Sequence, residues 1–337
     1  MTCIRTIDAA RPSPLRFAAL VLAGVLAMTG RPPIASGAED CNLKRVGSVD
    51  LTTVNDRIAV SVTVNGHPAR MLLDVSDIAT TIGGQYAQPL GLKVHLLRPG
   101  AAVGFGNTRI TQSAALTSFA VGSVQFSKAD FFVVPSKRTP SADSEPLIGQ
   151  LGMDVLGNLD FELDFANNTL NFYSHDHCPG RVVYWTNAYS SAPMTRGRLG
   201  NYYFPIELEG KKVEASISTT SPGTSLPTEV TRRLYGFDEK SPGIETETST
   251  AGGAIAHYRA MALTGSGLSV KNARIELRTS PPGPYCSLTT MGGPARYEGC
   301  MGGEAPLLLG LNVARHLHLY FATKEHVLYF SDAAASK

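Results

Sequence analysis

The sequence predicts an all-β fold of two homologous β-rich lobes with a few short helices. Three observations predict it. A strand–turn–strand segment recurs at constant spacing. Short apolar runs are punctuated by 33 Gly and 21 Pro among 337 residues. Helix start and stop signals occur only in isolated stretches.

The repeat is the first of these. "VTVNGHPARMLLDVSDIATTI" aligns without a gap on "IELEGKKVEASISTTSPGTSL", so that Gly66 meets Gly210, Leu73 meets Ile217, Thr80 meets Thr224 and Ile82 meets Leu226. Each copy reads as a β-hairpin whose second arm is mostly apolar. Two more blocks match in the same order. "ALTSFAVGSVQFSKADFFV" resembles "ALTGSGLSVKNARIEL", and "PLIGQLGMDVLGNLDFELDFANNTLNFYS" resembles "PLLLGLNVARHLHLYFATKEHVLYFS". In the last pair a Leu-Gly step leads to a short helical stretch, Met153–Leu159 or Leu311–Leu317. A hairpin then turns at Asn167-Asn168 or Lys324-Glu325. The lobes fall at 39–180 and 181–333, with 182–200 as the crossing and 334–337 as a tail. Helices are expected after each Thr/Ser-rich loop. In "SLPTEVTRRLYG", Pro227 stands near a first turn and Gly236 near the stop.

Residues 1–38 read as a secretory signal peptide. Arg5, Arg11 and Arg16 precede the apolar "FAALVLAGVLAMTG", which is short for a membrane span, and the small residues Ser36 and Ala38 suit cleavage. Removing this segment takes away four Arg and one Asp, and the formal charge moves from +2 to −1. Neither value is a footprint for nucleic acid or anionic lipid. The expected location is periplasmic or extracellular, with no membrane association after cleavage. Cys41, Cys178, Cys286 and Cys300 would remain, an even number in an exported chain, which suggests disulfides. Four cysteines allow three pairings. Cys41–Cys178 and Cys286–Cys300 is preferred, because the first two close the first lobe and the last two bracket a Gly/Pro-rich loop.

"RMLLDVSDIATTI", followed downstream by "LIGQLGMDVLGNLDFELDFANNTLNFY", resembles a lobe of the aspartic peptidases, and most of all the retropepsin-like exported bacterial proteins with two lobes per chain. In that family an apolar strand enters an Asp-Thr-Gly loop, and an apolar-apolar-Gly turn precedes a short helix. The resemblance implies two Asp facing each other across the lobes, one ionised and one protonated, activating water against a peptide carbonyl. It implies that the loop Thr braces the lobes by hydrogen bonds. It also suggests a flap at Val103–Ile110, with Gly104, Phe105 and Gly106 against substrate.

This sequence departs from that pattern in both lobes. Asp74 holds the first Asp position, but Val75 replaces the bracing Thr and Ser76 replaces Gly. The repeat carries Asp74 onto Ser218, followed by Thr219 and Thr220, and no acid lies between Ile217 and Pro227. A lone Asp74 is expected to ionise near the ordinary value of about 3.9. Asp77 reads as a solvated turn residue, and His316 and His318 as polar rim positions. "SHDHC" offers metal-ligand types, but Cys178 has a use in a disulfide, so no metal and no cofactor is expected. The reading that follows is an exported, catalytically degenerate aspartic-peptidase-like protein that binds a peptide, protein or envelope component between its lobes. An active endopeptidase with an altered dyad and an inert scaffold are the alternatives.

Overall fold

The computed structural model describes residues 41–98, 103–105, 108–126, 130–197, 200–248, 253–278, 288–289, 296–297 and 307–335. Residues 1–40, where the sequence predicts a signal peptide, and Gly106, Cys286, Cys300 and the last two residues of the tail lie outside these. Among the described residues the architecture is all-β. One fifteen-stranded sheet runs through both lobes and an eight-stranded sheet belongs to the second.

Each lobe is built on the repeated hairpin. Arg57–Val64 pairs antiparallel with His67–Leu73 through Asn65-Gly66, both with positive φ, and Tyr202–Leu208 pairs with Lys211–Ile217 through Glu209-Gly210 in the same conformation. Such two-residue turns match the twist of the flanking strands. The registers are equivalent: Val60 faces Met71 as Phe204 faces Ala215. The second arm of each hairpin then pairs parallel with a short apolar strand, Leu147–Leu151 or Leu307–Leu309. That strand is flanked on its other side by Thr81–Gly83 or Thr224–Pro227.

After each short strand a glycine opens a single helical turn, Met153–Leu156 or Leu311–Ala314, shorter than the sequence suggested. The glycine is required by close approach. A Cβ on Gly310 would lie 2.2 Å from the Gly223 carbonyl oxygen, and one on Gly152 would lie 2.8 Å from the backbone of Ala79. Thr80 and Thr224 fix the same junction. Their hydroxyls accept from the Gly152 and Gly310 N–H groups and donate to Asp154 and Asn312. Gly310→Ala is expected to lower stability by about 2–3 kcal/mol, because the obstructing atoms are backbone on both sides. Urea unfolding measures it, and an unchanged midpoint would contradict the packing.

The lobes are joined by strand pairing. Asp160–Asp164 pairs antiparallel with Leu317–Ala322, with Phe161 stacked on Phe321 at 4.5 Å. Glu162 faces Tyr320 in this register. Because the alignment that carries Gly152 onto Gly310 also carries Glu162 onto Tyr320, the pseudo-twofold passes through this pair. One face of these strands carries Phe161, Leu163, Phe172, Leu319, Phe321 and Phe330 into the main core. The other face is polar yet buried. Glu162 accepts from Asn171, Tyr173 and Tyr184 and pairs with His318 at 2.7 Å, and Trp185 stacks on His318 at 4.1 Å. His318 is therefore a buried junction residue and not a rim position, whereas His316 is exposed. His175 and His177 converge on buried Asp160 at 3.2 and 2.7 Å. The Cys41–Cys178 disulfide is present beside them.

The expected helix at Thr228–Tyr235 forms and ends at Gly236 in the left-handed conformation. Its first-lobe counterpart is only a 3-10 turn, Gly84–Tyr86. The Val103–Ile110 segment forms a hairpin, Val103–Phe105 with Thr108–Ile110.

The repeat also preserves one contact by exchange. In the first lobe Gly47 lies under Ser123, where a Cβ would come 2.6 Å from the Ser123 hydroxyl. In the second lobe the equivalent residues are Ser190 and Gly267, and a Cβ on Gly267 would come 1.9 Å from the Ser190 hydroxyl.

Candidate functional site

Asp74 and Ser218 end the second arms of the two repeated hairpins. Their positions are set alike: the Asp74 N–H donates to the Leu151 carbonyl at 3.0 Å and the Ser218 N–H to that of Leu309 at 2.8 Å. The two loops meet directly. The Thr219 hydroxyl accepts from the Val75 N–H at 3.4 Å and donates to the Leu73 carbonyl. Half of the inter-lobe brace therefore survives, from the second lobe, while Val75 supplies none.

Asp74 is only 6% exposed. Its Oδ1 accepts from the Ser76 N–H at 2.9 Å and the Ser76 hydroxyl at 2.6 Å. Its Oδ2 accepts from the Thr220 hydroxyl at 2.5 Å and the Gln150 amide at 3.3 Å. Ser218 lies 3.3 Å from the Thr220 hydroxyl. Since the Thr220 proton is committed to Asp74, Ser218 donates there. A hydroxyl relay thus connects Ser218 to Asp74 across the lobes, with Thr220 between them. Ser218 itself accepts from the Thr220 and Ser221 N–H groups.

Asp77 corrects the sequence reading. It is buried to the same degree as Asp74 and is not a solvated turn residue. Its Oδ1 accepts from the Ala79 N–H at 3.1 Å, and its Oδ2 takes the Gln150 amide. One amide group thus bridges two carboxyls of the same loop. Burial, and then the charge of Asp74, push Asp77 up to about 8. Burial also raises Asp74, against the Ser76 and Thr220 hydrogen bonds. The expectation of an ordinary, isolated Asp74 fails on both counts. The donors around Asp74 offset part of the burial that raises it, and Asp77, raised to about 8, is the acid that keeps a proton at neutral pH. Asp154, raised by burial against its Thr80 hydrogen bonds, is the third carboxyl of this region. The second lobe has Ser221, Leu308 and Asn312 where the first has Asp77, Gln150 and Asp154, so the acid cluster belongs to one lobe.

Residues 60–155, which contain this loop, match the family model described as Aspartyl protease. The matched segment is aspartic-protease-like. Among solved structures the chain is similar to the aspartic proteinase from Irpex lacteus, at 14% identity over 86% of this chain and 99% of that one, with a TM-score of 0.48. No curated protein matches. The sequence singles out Asp74, Val75 and Ser76 in the aspartic-protease-like loop and Ser218, Thr219 and Thr220 at the matching positions of the second repeat, and the structure brings the two loops together. The sequence does not single out Gln150, whose partner Asp77 is 73 residues away. Gly104 and Phe105 stand in the Val103–Phe105 strand, while the Phe105 side chain and Gly106 lie outside what the structure describes. Among the described residues no group of His, Cys, Asp or Glu is arranged to hold a metal ion.

Proposed function

We propose that the protein is an exported aspartic-peptidase-like module, with lobes 39–180 and 181–333 after a signal peptide, that binds an extended peptide or an envelope component between its lobes without cleaving it. Asp74 carries this reading. An ionised carboxylate has about four acceptor sites, and four donors of the chain take them: the Ser76 N–H, the Ser76 hydroxyl, the Thr220 hydroxyl and the Gln150 amide. No acceptor site is left to draw a proton from water. Ser218, with an alcohol's proton affinity, is a poor acid toward a carbonyl oxygen. Binding an extended peptide through strand-like backbone bonds needs neither group. The Cys41–Cys178 disulfide supports an oxidising location, and no described helix is long and apolar enough to cross a membrane.

Digestion of an unfolded protein and a random peptide pool from acidic to neutral pH tests this, with Asp74→Asn as control. The expected result is retention of some peptides and cleavage of none. Cleavage that Asp74→Asn abolishes would establish the altered-dyad peptidase instead, and absence of any retained peptide would favour the scaffold.

A further inference from the structure

The two lobes differ in one place where their registers agree. In the first lobe Phe119–Val121 pairs with Val124–Phe126, Val124 facing Val121 and Phe126 facing Phe119. In the second, Leu268 faces Gly265 and Val270 faces Leu263 within the longer hairpin Ala254–Gly265 and Leu268–Arg278. Both hairpins hang on the repeated unit by the same pairs, Val64 with Phe119 and Leu208 with Leu263. Val270 therefore occupies the place of Phe126. Below it, Phe330 occupies the place of Phe172, since Phe161 faces Phe172 as Leu319 faces Phe330.

The Phe126 ring lies 5.9 Å from Phe119 and 6.1 Å from Phe172, closing the space between hairpin and sheet. Val270 cannot reach as far as the ring it replaces, and beside it lies a cavity of about 620 Å³, lined by Val270, Leu268 and Phe330 with Val313 and Leu317. The apolar wall is left partly open: Val124 is buried, but its counterpart Leu268 is half-buried. The mouth has both donors and acceptors, with Lys271, Asn312, His316 and Asp332 lining it. The edge of Leu268–Lys271 that faces away from Ala254–Gly265 pairs with no other strand among the described residues. A cavity of this volume is in the range of ligand sites, and an unpaired strand edge accepts an extended backbone.

We propose that this second-lobe cavity is a docking site for an aromatic residue of a partner polypeptide, its ring entering where the first lobe places Phe126 and its backbone lying along Leu268–Lys271. The mixed mouth suits a neutral peptide backbone, which needs donors and acceptors together. The site is independent of the Asp74 loop.

The test follows the Val270 and Val313 methyl resonances of the wild-type protein by nuclear magnetic resonance. N-acetyl-phenylalaninamide is expected to produce saturable shifts, and N-acetyl-alaninamide and N-acetyl-leucinamide much weaker ones. The pentapeptide Ala-Ala-Phe-Ala-Ala, capped at both ends, is expected to bind at least threefold more tightly than the single residue. Val270→Phe, which restores to this lobe the side chain of the other, is expected to melt a few degrees higher and to bind at least tenfold more weakly. Asp74→Asn is expected to leave this binding unchanged, which separates it from the inter-lobe reading. Equal response to leucine and phenylalanine amides would overturn the aromatic assignment. No gain from flanking residues would overturn the polypeptide one. Undiminished binding by folded Val270→Phe would remove the site altogether, and if that variant fails to fold, the wild-type titrations decide alone.

Discussion

Ser218→Asp combined with Thr220→Gly, Val75→Thr and Ser76→Gly is expected to confer acid endopeptidase activity on the chain. The gain should be several orders of magnitude over wild type, the scale on which members of a cooperating catalytic set act together. Each change answers a contact. Thr220→Gly removes the hydroxyl held at 2.5 Å against Asp74, and Ser76→Gly removes the one at 2.6 Å. Both acceptor sites then return to water. Ser218→Asp supplies the missing acid, and Val75→Thr completes a brace of which Thr219 already provides half. Ser218→Asp alone is expected to give no brisk turnover, because Thr220 would still stand between the carboxyls. It should also cost stability, since a buried charge beside Asp74 raises the repulsion already present with Asp77. Cleavage of an unfolded protein at pH 3 to 6 is the measurement. Strong activity from the single variant would show that Thr220 does not block the pair.

Stability should fall as pH rises from about 5 to 9, and Asp77→Asn should flatten much of that fall. The ordinary value for Asp77 is 3.8 and its value in the fold is about 8. The folded chain therefore keeps a proton that the unfolded chain releases. This contribution is fully present below the unfolded value and is lost as pH rises through the folded one. Asp74 and Asp154 are raised as well and act in the same sense. The neutral amide at position 77 can still accept from the Ala79 N–H and meet Gln150, whose own amide can turn to suit it. The difference between wild type and variant should change by about 3 kcal/mol between pH 5 and pH 9, allowing for coupling within the pair. Urea unfolding at three pH values measures it. Parallel curves for the two proteins would mean that Asp77 is already ionised in the fold at neutral pH.

What the sequence reveals about this molecule follows the range of the interactions concerned. The repeated hairpins are legible because their information is local: alternating apolar positions, a two-residue turn at Asn65-Gly66, and its echo at Glu209-Gly210. The exchange of Asp74 for Ser218 is legible because the repeat aligns without gaps there. Asp77 is not legible, because its partner Gln150 is 73 residues away and no local feature of "DVSD" distinguishes a capped, buried acid from a solvated one. His318 was misread for the same reason, its partner Glu162 being 156 residues distant on the neighbouring lobe's strand. Thr219 is legible as well, since the same repeat places it opposite Val75 and it keeps the hydroxyl that Val75 lacks. The second-lobe cavity was out of reach, because "FAVGSVQF" and "LTGSGLSV" differ by ordinary apolar exchanges whose effect on volume appears only in the packed structure.

The contact of Gly47 with Ser123, and of Ser190 with Gly267, has a bearing on descent. If the lobes arose by duplication, they began with one arrangement and now hold opposite ones. The change in one copy required two substitutions at positions far apart in sequence. Taking the serine first would have placed two hydroxymethyl groups in space for one, since a Cβ on Gly47 would come 2.6 Å from the Ser123 hydroxyl and one on Gly267, whose φ of +91° also disfavours a side chain, 1.9 Å from that of Ser190. Taking the glycine first would have left only a small void, which a packed interior tolerates far better than overlap. The accessible history therefore runs through a Gly–Gly intermediate in one copy, and packing sets the order of those two steps.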